Sequence, residues 1–580
     1  MYENTFNLGF LTNFLFSFIF ILVSILFSIK ISKNIFIKKI FFFDEYQPLI
    51  IFFLIFSFYT LIFNLTTLIN YSLISELFFL VFFLKIFFIF KNLSEIKSIF
   101  KFNINLDEKI ILIIFFILFL ISILPLSDAD SISVFQYLPT VIFNEGLKDI
   151  NLQKNIEFIS ISNTEIILLI SSILKSDNFG SQLNLLTLIF FVTLSFKSHK
   201  NFSLIVLSSP LIIYFISTQK LQLFFGVLYL LLFIIVNKNL FLKKKNYFIF
   251  TLLLIFYSSG KLPYILIATP LFIYFFYNHI KNWKIIIQYS FFSFTIIYVP
   301  LLLLKQIHFG NILAPFFDNI LGQNLEAYNA YAHSLRSTEG WLNNPKDLSL
   351  YLRPFISFDI SKLSSSLGLV FLLMLINFKL QKDTKFIPIF LIILILATGQ
   401  ILPRYYFEAF LLLALFYKPQ QSLIKLFIYS QVFVIFLISV IYVYFSYIKF
   451  DVIKDKTKYM EQFSYSYFDA KQQKKDGLEQ NFLDFSSDRH SIFFDKNIYS
   501  MRNLNNLNQF NNQNVQNFND FIVGNSIKYL VVNDYKDFPD CIITEEIKET
   551  YRKHAVRNIL LNPKKKQYKI IKIKDNKCNK

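Results

Sequence analysis

The segment Pro48-Leu-Ile-Ile-Phe-Phe-Leu-Ile-Phe-Ser-Phe-Tyr-Thr-Leu-Ile-Phe63 decides the fold class, because it contains no charged residue. As a helix with ~1.5 Å of rise per residue, such a run covers most of the ~30 Å hydrocarbon core of a bilayer. Similar runs recur from Leu8 to Tyr447, and 55% of the 580 residues are hydrophobic. The chain is therefore predicted to be a polytopic integral membrane protein.

The apolar runs predict about fourteen membrane-spanning helices. Several runs have only ~13 to 16 residues, so some spans are expected to be tilted or re-entrant. The predicted spans begin near Leu8, Pro48, Leu77, Ile110, Leu183, Phe202, Leu221, Tyr247, Pro263, Ile285, Leu367, Phe386, Tyr405 and Leu426.

Lysine clusters in alternate loops predict the orientation, because cytoplasmic loops are enriched in Lys and Arg. The alternation requires that the short run from Ile161 to Leu174 lie along the outer surface as a juxtamembrane helix. The net charge of +19 is then explained by topology, and no nucleic-acid partner is expected. The cytoplasmic loops are those with Lys30 to Lys39, Lys91 to Lys109, Lys197 and Lys200, Lys238 to Lys245, Lys281 and Lys284, Lys379 to Lys385, and Lys418 and Lys425.

The predicted fold is an all-α polytopic membrane domain followed by a small extracytoplasmic α/β domain. Leading transmembrane helices occupy residues 1–109, a transmembrane core with outer loops 127–180 and 305–366 occupies 110–450, and a soluble domain occupies 451–580. The soluble part has a buried-strand pattern from Ile527 to Val532, a helix-like pattern from Glu545 to Leu561, and a floppy Asn/Gln-rich insertion from Asn503 to Asn519. The two cysteines, Cys541 and Cys578, allow one disulfide in an oxidising compartment.

Two carboxylates follow the fourth predicted span, in Ser127-Asp128-Ala-Asp130. A spacing of two places both side chains on one face of an extended segment, which suits a shared divalent cation or a general base with an orienting partner. Alternatively, Asp130 or Ser127 caps the next helix. That helix is predicted to lie on the membrane surface from the spacing of Ile132, Phe135, Leu138, Val141 and Ile142.

Lys220 and Lys261 are lone cations in tight outer turns between apolar runs. Each could bind a lipid phosphate as a point charge, or its ammonium could simply snorkel to the headgroups. Arg404 opens a later span, one helical turn before Glu408. The two side chains are expected to neutralise each other, although Arg404 keeps further donors for a phosphate.

The second outer loop begins with His308-Phe-Gly310-Asn311-Ile-Leu-Ala-Pro315-Phe316. Gly and Pro force the chain to turn, so Gly310, Asn311 and Pro315 are expected to have structural roles. His308 and His333 are isolated, and they are expected to be ordinary loop histidines rather than metal ligands.

In this order and on one predicted side of the membrane, the motifs resemble the multi-spanning GT-C glycosyltransferases, in particular bacterial relatives of the dolichyl-phosphate-mannose protein mannosyltransferase group. The resemblance covers roughly Ile110 to Val532. Two positions depart from the family pattern: Val134-Phe135 replaces an aromatic–His pair, and Gln222 replaces an Asp after the first Lys turn. The shared features are Asp128-Ala-Asp130-Ser-Ile132, Pro139, Gly146, Lys220, Lys261, Gly310 to Phe316, Arg404-Tyr405 and Tyr529-Leu-Val-Val532.

This resemblance implies transfer of a sugar from a polyprenyl-phosphate donor to a cell-envelope glycan, lipid or protein on the extracytoplasmic face of the inner or plasma membrane. It implies that Asp128 is the general base, and that Asp130 orients it or shares a divalent cation, Mg²⁺ or Mn²⁺, with it. The donor phosphate would be bound by Lys220, Lys261 and Arg404. The expected partners are the lipid bilayer, the lipid-linked sugar and an acceptor whose identity the sequence does not give.

Two other functions fit a polytopic chain. A polysaccharide polymerase or ligase uses outer-loop arginines as phosphate clamps, and Arg336 and Arg353 lie in the second outer loop. A transporter keeps ionisable residues near the bilayer midplane, and Lys85 is such a residue in the leading helices. A purely structural membrane scaffold leaves the clustering of polar motifs on one side unexplained.

Overall fold

A computed structural model shows a mostly helical chain with a small sheet near its C terminus. Among the described residues, five helical segments are long and apolar enough to cross a membrane: Thr12–Lys33, Asp44–Thr67, Tyr71–Ile89, Ile280–Phe309 and Leu423–Lys449. These are the features of a helical membrane protein, whereas the count of about fourteen spans stays a prediction. The structure describes residues 10–69, 71–90, 106–128, 130–146, 158, 161–195, 199, 201–241, 243–314, 352, 355, 366–376, 386–397, 402–417, 422–478, 481–485, 493, 498–500, 512–533, 539–553 and 565–576.

The leading helices pack against the core instead of standing apart from it. Aromatic side chains join α1 to α3 and α4, with ring centroids 5.6 Å apart for Phe20 and Tyr59 and 5.0 Å apart for Phe20 and Phe78. The Asn64 side chain donates a 2.9 Å hydrogen bond to Asn163 of the core. These helices are α1 (Phe10–Lys33), α2 (Ile35–Ile40), α3 (Gln47–Ile69) and α4 (Ile74–Phe90).

The core is built from helices because lipid offers no partners for backbone polar groups. Where one span was predicted from Phe202, Pro210 separates two short helices, since proline has no amide hydrogen to continue the first. The core helices are α5 (Leu106–Ser122), α6 (Tyr137–Glu145, after a π-helical turn Ser131–Gln136), α7 (Asn163–Ile167), α8 (Leu169–Ile173), α9 (Phe179–Ser195), α10 (Phe202–Leu207), α11 (Leu211–Ile216), α12 (Gln222–Asn237), α13 (Lys244–Ser259), α14 (Leu262–Asn278), α15 (Trp283–Phe309), α16 (Leu369–Ile376), α17 (Phe386–Ala397), α18 (Phe407–Phe416) and α19 (Ser422–Val443).

Two segments that were predicted to lie on the surface are buried. The segment from Ile132 to Ile142 and the run from Ile161 to Leu174 are both helical, but their side chains are covered by protein. Their polar groups bond to one another, as in the 3.1 Å bond from the Gln136 amide to the Ser171 hydroxyl. Neither segment therefore has a solvent-facing polar side, because its polar residues are paired inside the protein. The position of both segments along the membrane surface stays a prediction.

Basic loops of the leading helices and of the core meet at one end of the helical bundle. Lys243 Nζ donates to the carbonyl oxygen of Lys39 at 3.2 Å, and Lys238 forms a 3.1 Å ion pair with Glu45. Asp128, Lys220 and Lys261 lie at the other ends of their helices, which we call the Asp128 end. The assignment of the basic end to the cytoplasm stays a prediction.

The C-terminal tail contains helices and a five-stranded sheet of order β2-β1-β3-β5-β4. Strands β1, β2 and β3 are parallel, whereas β5 runs antiparallel to β3 and β4. The predicted strand ending at Val532 is confirmed as β3. The elements are α20 (Lys456–Phe463), α21 (Tyr465–Asp476), β1 (Phe482–Asp484), β2 (Ile498–Ser500), α22 (Asn512–Gly524), β3 (Tyr529–Val532), β4 (Ile542–Lys553) and β5 (Lys565–Asn576).

Two predictions for the tail are wrong in the part that the structure describes. Residues 545–553 of the helix predicted from Glu545 to Leu561 belong to strand β4, which pairs with β5. Glu and Lys favour helices only weakly, so pairing with a neighbouring strand outweighs that preference. Residues 512–519 of the predicted floppy insertion are part of helix α22. Residues 503–511 and 554–561 lie outside the described residues. Cys541 is disulfide-bonded, and the chain has one other cysteine, Cys578.

Candidate functional site

Asp128 caps the helical segment that follows it. Its Oδ2 accepts hydrogen bonds from the backbone N and the hydroxyl of Ser131, both at 3.0 Å. The capping side chain is therefore that of Asp128, not that of Asp130 or Ser127 as the sequence suggested, because the Ser131 amide donates to Asp128 and Asp130 makes no capping hydrogen bond. Asp130 lies within the first turn, with its side chain 13% exposed.

Lys220 lies between α11 and α12 and connects the two carboxylates. Its Nζ is 2.7 Å from Asp130 Oδ2 and 3.5 Å from Asp128 Oδ2. The Tyr214 hydroxyl is a further contact of this ammonium. Lys220 is only 4% exposed, so its ammonium faces into the protein instead of snorkelling to the headgroups.

The cation that the two carboxylates share in this structure is thus an ammonium. Among the residues that the structure describes, no group of three or more His, Cys, Asp or Glu side chains could hold a metal ion. Asp128 and Asp130 alone supply two carboxylates, fewer than the six to eight oxygen ligands that Ca²⁺ takes, whereas Mg²⁺ is often held by one or two carboxylates with water and substrate phosphate. A divalent cation therefore stays an untested expectation.

Arg404 turns toward the acidic pair instead of toward Glu408. It lies in the 3₁₀-helix Pro403–Tyr406, and its Nη1 is 3.6 Å from Asp130 Oδ2. Glu408 instead accepts from the Gln222 amide at 3.2 Å and from the Tyr257 hydroxyl at 3.3 Å. The predicted mutual neutralisation of Arg404 and Glu408 is therefore wrong, since the first lies at the bundle end and the second points between α12 and α13.

Lys261 and Arg404 both lie near the Tyr405 ring. Lys261 Nζ is 5.9 Å and Arg404 Cζ is 5.4 Å from its centroid. Burial lowers the pKa of the Lys261 ammonium. Burial by itself raises the pKa of the Tyr405 phenol, but Lys261 and Arg404 outweigh it and leave this pKa below its ordinary value. Within the described part of the chain, Lys261 has no carboxylate ion-pair partner, unlike Lys220 and Arg404.

The turn before Lys261 is fixed by α7. The hydroxyl of Ser162 donates to the Gly260 carbonyl oxygen at 2.7 Å, and the Thr164 hydroxyl donates to the same oxygen. Glu165 accepts from the Ser162 backbone N at 2.8 Å, and burial raises the pKa of its carboxyl. No local sequence pattern indicates this role for α7, because the contact joins segments almost a hundred residues apart.

Helix α15 ends at the residues that were predicted to shape the second outer loop. Gly310 has a φ of +61°, a left-handed conformation that glycine adopts without strain, and its amide closes the helix on Gln306. Asn311 Oδ1 accepts from the Leu313 amide at 2.9 Å and so stabilises the next turn. His308 packs edge-on against Phe158, with ring centroids 5.5 Å apart. Pro315, His333, Arg336 and Arg353 lie outside the described residues.

The structure thus brings together Asp128, Asp130, Lys220, Lys261 and Arg404 at one end of the bundle. Carboxylates beside several cations can accept a proton from a hydroxyl while an anion is held nearby. Sequence reasoning missed the neighbours of this group, Tyr214 and Gln219, because nothing in their local sequence distinguishes them from other residues of an apolar chain.

No protein family model, no curated protein and no solved structure matches the chain. The resemblance to GT-C glycosyltransferases therefore rests on the short sequence motifs alone.

Proposed function

We propose that this protein is a membrane glycosyltransferase that moves a sugar from a polyprenyl-phosphate donor to a hydroxyl of a cell-envelope acceptor on the extracytoplasmic face. The observation that supports it best is the meeting of two carboxylates and three cations that come from four separate parts of the chain. Chemistry of this kind needs a proton acceptor and an anion site within one substrate's length of each other.

The cations suit a phosphate that gains charge during the reaction. When the bond between the sugar and the phosphate breaks, the polyprenyl phosphate leaves with an additional negative charge. Lys261 has no carboxylate partner among the described residues, and it would bind this phosphate directly. Lys220 and Arg404 share Asp130 in this structure, and each keeps further donors for the phosphate oxygens.

The carboxylates suit activation of the acceptor. Asp128 would take the proton of the acceptor hydroxyl as its oxygen forms the new bond to the sugar. Ser131 and Lys220 hold one oxygen of this carboxylate and so fix its orientation. Asp130 would keep Lys220 and Arg404 in place by pairing with both.

An apolar cleft among the helices that flank the Lys261 turn supports a lipid donor. The cleft has a volume of about 400 Å³ and lies between α13, α14 and α15. It is lined by Leu254, Ile255, Phe272, Phe291 and Phe294, among others. Helix α13 ends at Ser259, directly before the turn that carries Lys261, so a polyprenyl chain in this cleft could present its phosphate to that lysine.

The proposal is tested by lipid-phosphate binding and by sugar transfer. The purified protein in nanodiscs is titrated with polyprenyl phosphate, and the radiolabelled lipid-linked sugar is then incubated with acceptor membranes from cells that lack the protein. We expect saturable binding that polyprenol without phosphate does not displace, and transfer of label to membrane material.

Two variants make this test specific. Lys261→Met removes the cation without a carboxylate partner and should weaken binding roughly tenfold or more. Lys284→Met removes an exposed lysine beside Trp283 and should leave binding unchanged. Binding that is absent in the natural protein, or equal in both variants, contradicts the proposed donor site.

A further inference from the structure

Helix α20, the first helix of the C-terminal tail, contacts the segment that precedes Asp128. The Tyr459 hydroxyl is 3.0 Å from the Tyr442 hydroxyl, and the Ser127 side chain lies close to both hydroxyls. Tyr459 is completely buried. The residue next to Asp128 is therefore held from the tail side by a ring that solvent does not reach.

The same helix also contacts the segment that leads to Lys220. Lys456 Nζ forms a 3.0 Å ion pair with Asp177, whose side chain is only 3% exposed. The backbone carbonyl oxygen of Asp177 accepts a hydrogen bond from the Gln219 side chain. Gln219 directly precedes Lys220, so one ion pair from α20 reaches the second half of the site through a single residue.

The two contacts converge within the site. The Gln219 backbone N donates to the Ser131 hydroxyl at 3.0 Å, and that hydroxyl donates to Asp128 Oδ2 at 3.0 Å. A continuous set of bonds therefore runs from Lys456 through Asp177, Gln219 and Ser131 to Asp128. Buried polar networks of this kind rigidify their members when every group is satisfied.

We propose that α20 is a positioning element. It fixes the position of Asp128 relative to Lys220, and so makes the C-terminal tail part of the catalytic unit. Lys456 and Tyr459 touch no reacting atom in this account; they are positioning residues. The inference rests on the proposed function for its kinetic consequence, whereas its structural consequence can be measured without any substrate.

The kinetic test uses the full chain in nanodiscs with the lipid-linked sugar. We expect Lys456→Gln and Tyr459→Phe each to lower kcat roughly 10- to 100-fold, because a small misplacement of reacting groups has effects of that size. The KM for the donor should change less than kcat does, since no hydrogen bond or ion pair among the described residues joins α20 to the turn of Lys261. Lys456→Arg keeps the ion pair with Asp177 and should restore most of kcat.

The control is Lys458→Gln on the same helix, because the Lys458 side chain is 72% exposed and its ion-pair partner among the described residues is nearby Asp455. It should keep the kcat of the natural protein. Equal kcat values for Lys456→Gln, Tyr459→Phe and Lys458→Gln would overturn the inference while leaving the proposed function intact. No transfer by the natural protein would instead count against the proposed function.

Hydrogen exchange tests the structural consequence independently of activity. Backbone amides of residues 130–137 and 217–222 should exchange faster in Lys456→Gln than in Lys458→Gln, although these two segments lie outside α20. Faster exchange limited to α20 and its immediate chain neighbours would overturn the inference, even if the protein proved to have a different activity.

Discussion

Two buried lysines of this protein lie in opposite surroundings. Lys220 is 4% exposed and Lys85 is 2% exposed. Lys220 has two carboxylates within 3.5 Å. Lys85 in α4 donates to the Ser24 hydroxyl at 2.9 Å and lies over the rings of Phe20 and Tyr59, at 4.3 and 4.8 Å from their centroids. No ion pair to a described carboxylate accompanies Lys85.

The difference shows which of the two lysines has surroundings that compensate for a buried positive charge. Burying an ammonium is costly unless opposite charges and hydrogen bonds compensate for lost water. The surroundings of Lys220 provide that compensation, and removing the lysine would leave Asp130 with Arg404 and Asp128 with the hydrogen bonds of Ser131. The rings around Lys85 offer the weaker attraction of aromatic faces, worth ~0.5 to 2 kcal/mol each. Lys220 is therefore expected to matter for function and Lys85 chiefly for helix packing.

Lys220→Met should have the largest effect. Loss of the ammonium leaves Asp128 and Asp130 facing each other in a poorly solvated place, and breaking a buried pair typically costs ~3 to 5 kcal/mol. Sugar transfer should fall by roughly 10²- to 10³-fold, as for other electrostatic stabilisers of a leaving anion. Transfer is measured in nanodiscs, with thermal unfolding monitored in parallel. Transfer near that of the natural protein would show that the ion pair is only structural.

Arg404→Lys should have a smaller effect. A lysine keeps the charge near Asp130 but lacks the planar fork and the stacking on Tyr405. We expect binding of polyprenyl phosphate to weaken roughly tenfold, measured by titration in nanodiscs. The control is Lys284→Arg, which exchanges the same two residue types at an exposed position. Identical affinities in the two variants would place the phosphate away from Arg404.

Donor binding should weaken as the pH rises, and earlier than for an ordinary lysine near pH ~10.4. The lowered pKa of Lys261 means that its positive charge is present at low pH and is lost as the pH rises through that lowered value. The lowered pKa of Tyr405 adds a negative charge in the same direction. The lipid-linked sugar is used as the probe, because its phosphodiester does not titrate in this range. Tyr405→Phe should change the pH at which binding is lost, because the phenol adds negative charge at high pH and also raises the pKa of Lys261. An unchanged pH profile would contradict a contribution from this phenol.

Lys85→Met should have the smallest effect. Methionine fills a similar volume and needs no hydrogen bond, so stability should change by less than about 1.5 kcal/mol in either direction. Transfer and donor binding should equal those of the natural protein. A loss of activity as large as that of Lys220→Met would show that Lys85 takes part in function, and would favour the transporter alternative.

The sequence predicted those features that depend on local pattern. Apolar runs predicted helices such as α3, because lipid leaves the backbone few alternatives. The buried-strand pattern from Ile527 to Val532 predicted β3. The same local signals failed for β4, whose conformation depends on pairing with β5, and for α7, whose burial depends on contacts with α3 and α13.

The candidate site shows the same limit. Asp128, Lys220 and Arg404 could be named from the sequence because charged residues are rare beside apolar runs. Their arrangement could not be predicted. Glu408 is the carboxylate close to Arg404 in the sequence, but Arg404 pairs with Asp130 instead. Lys456 and Asp177 lie in ordinary polar segments, and only the fold brings them together.

The central claim is tested most directly by Asp128→Asn in the reconstituted assay. Asparagine can keep the hydrogen bonds from Ser131 while it loses the basicity of the carboxylate. The account predicts that transfer from the radiolabelled polyprenyl-phosphate sugar falls at least ~100-fold while binding of the lipid donor persists. Full transfer by Asp128→Asn would contradict the assignment of Asp128 as the general base.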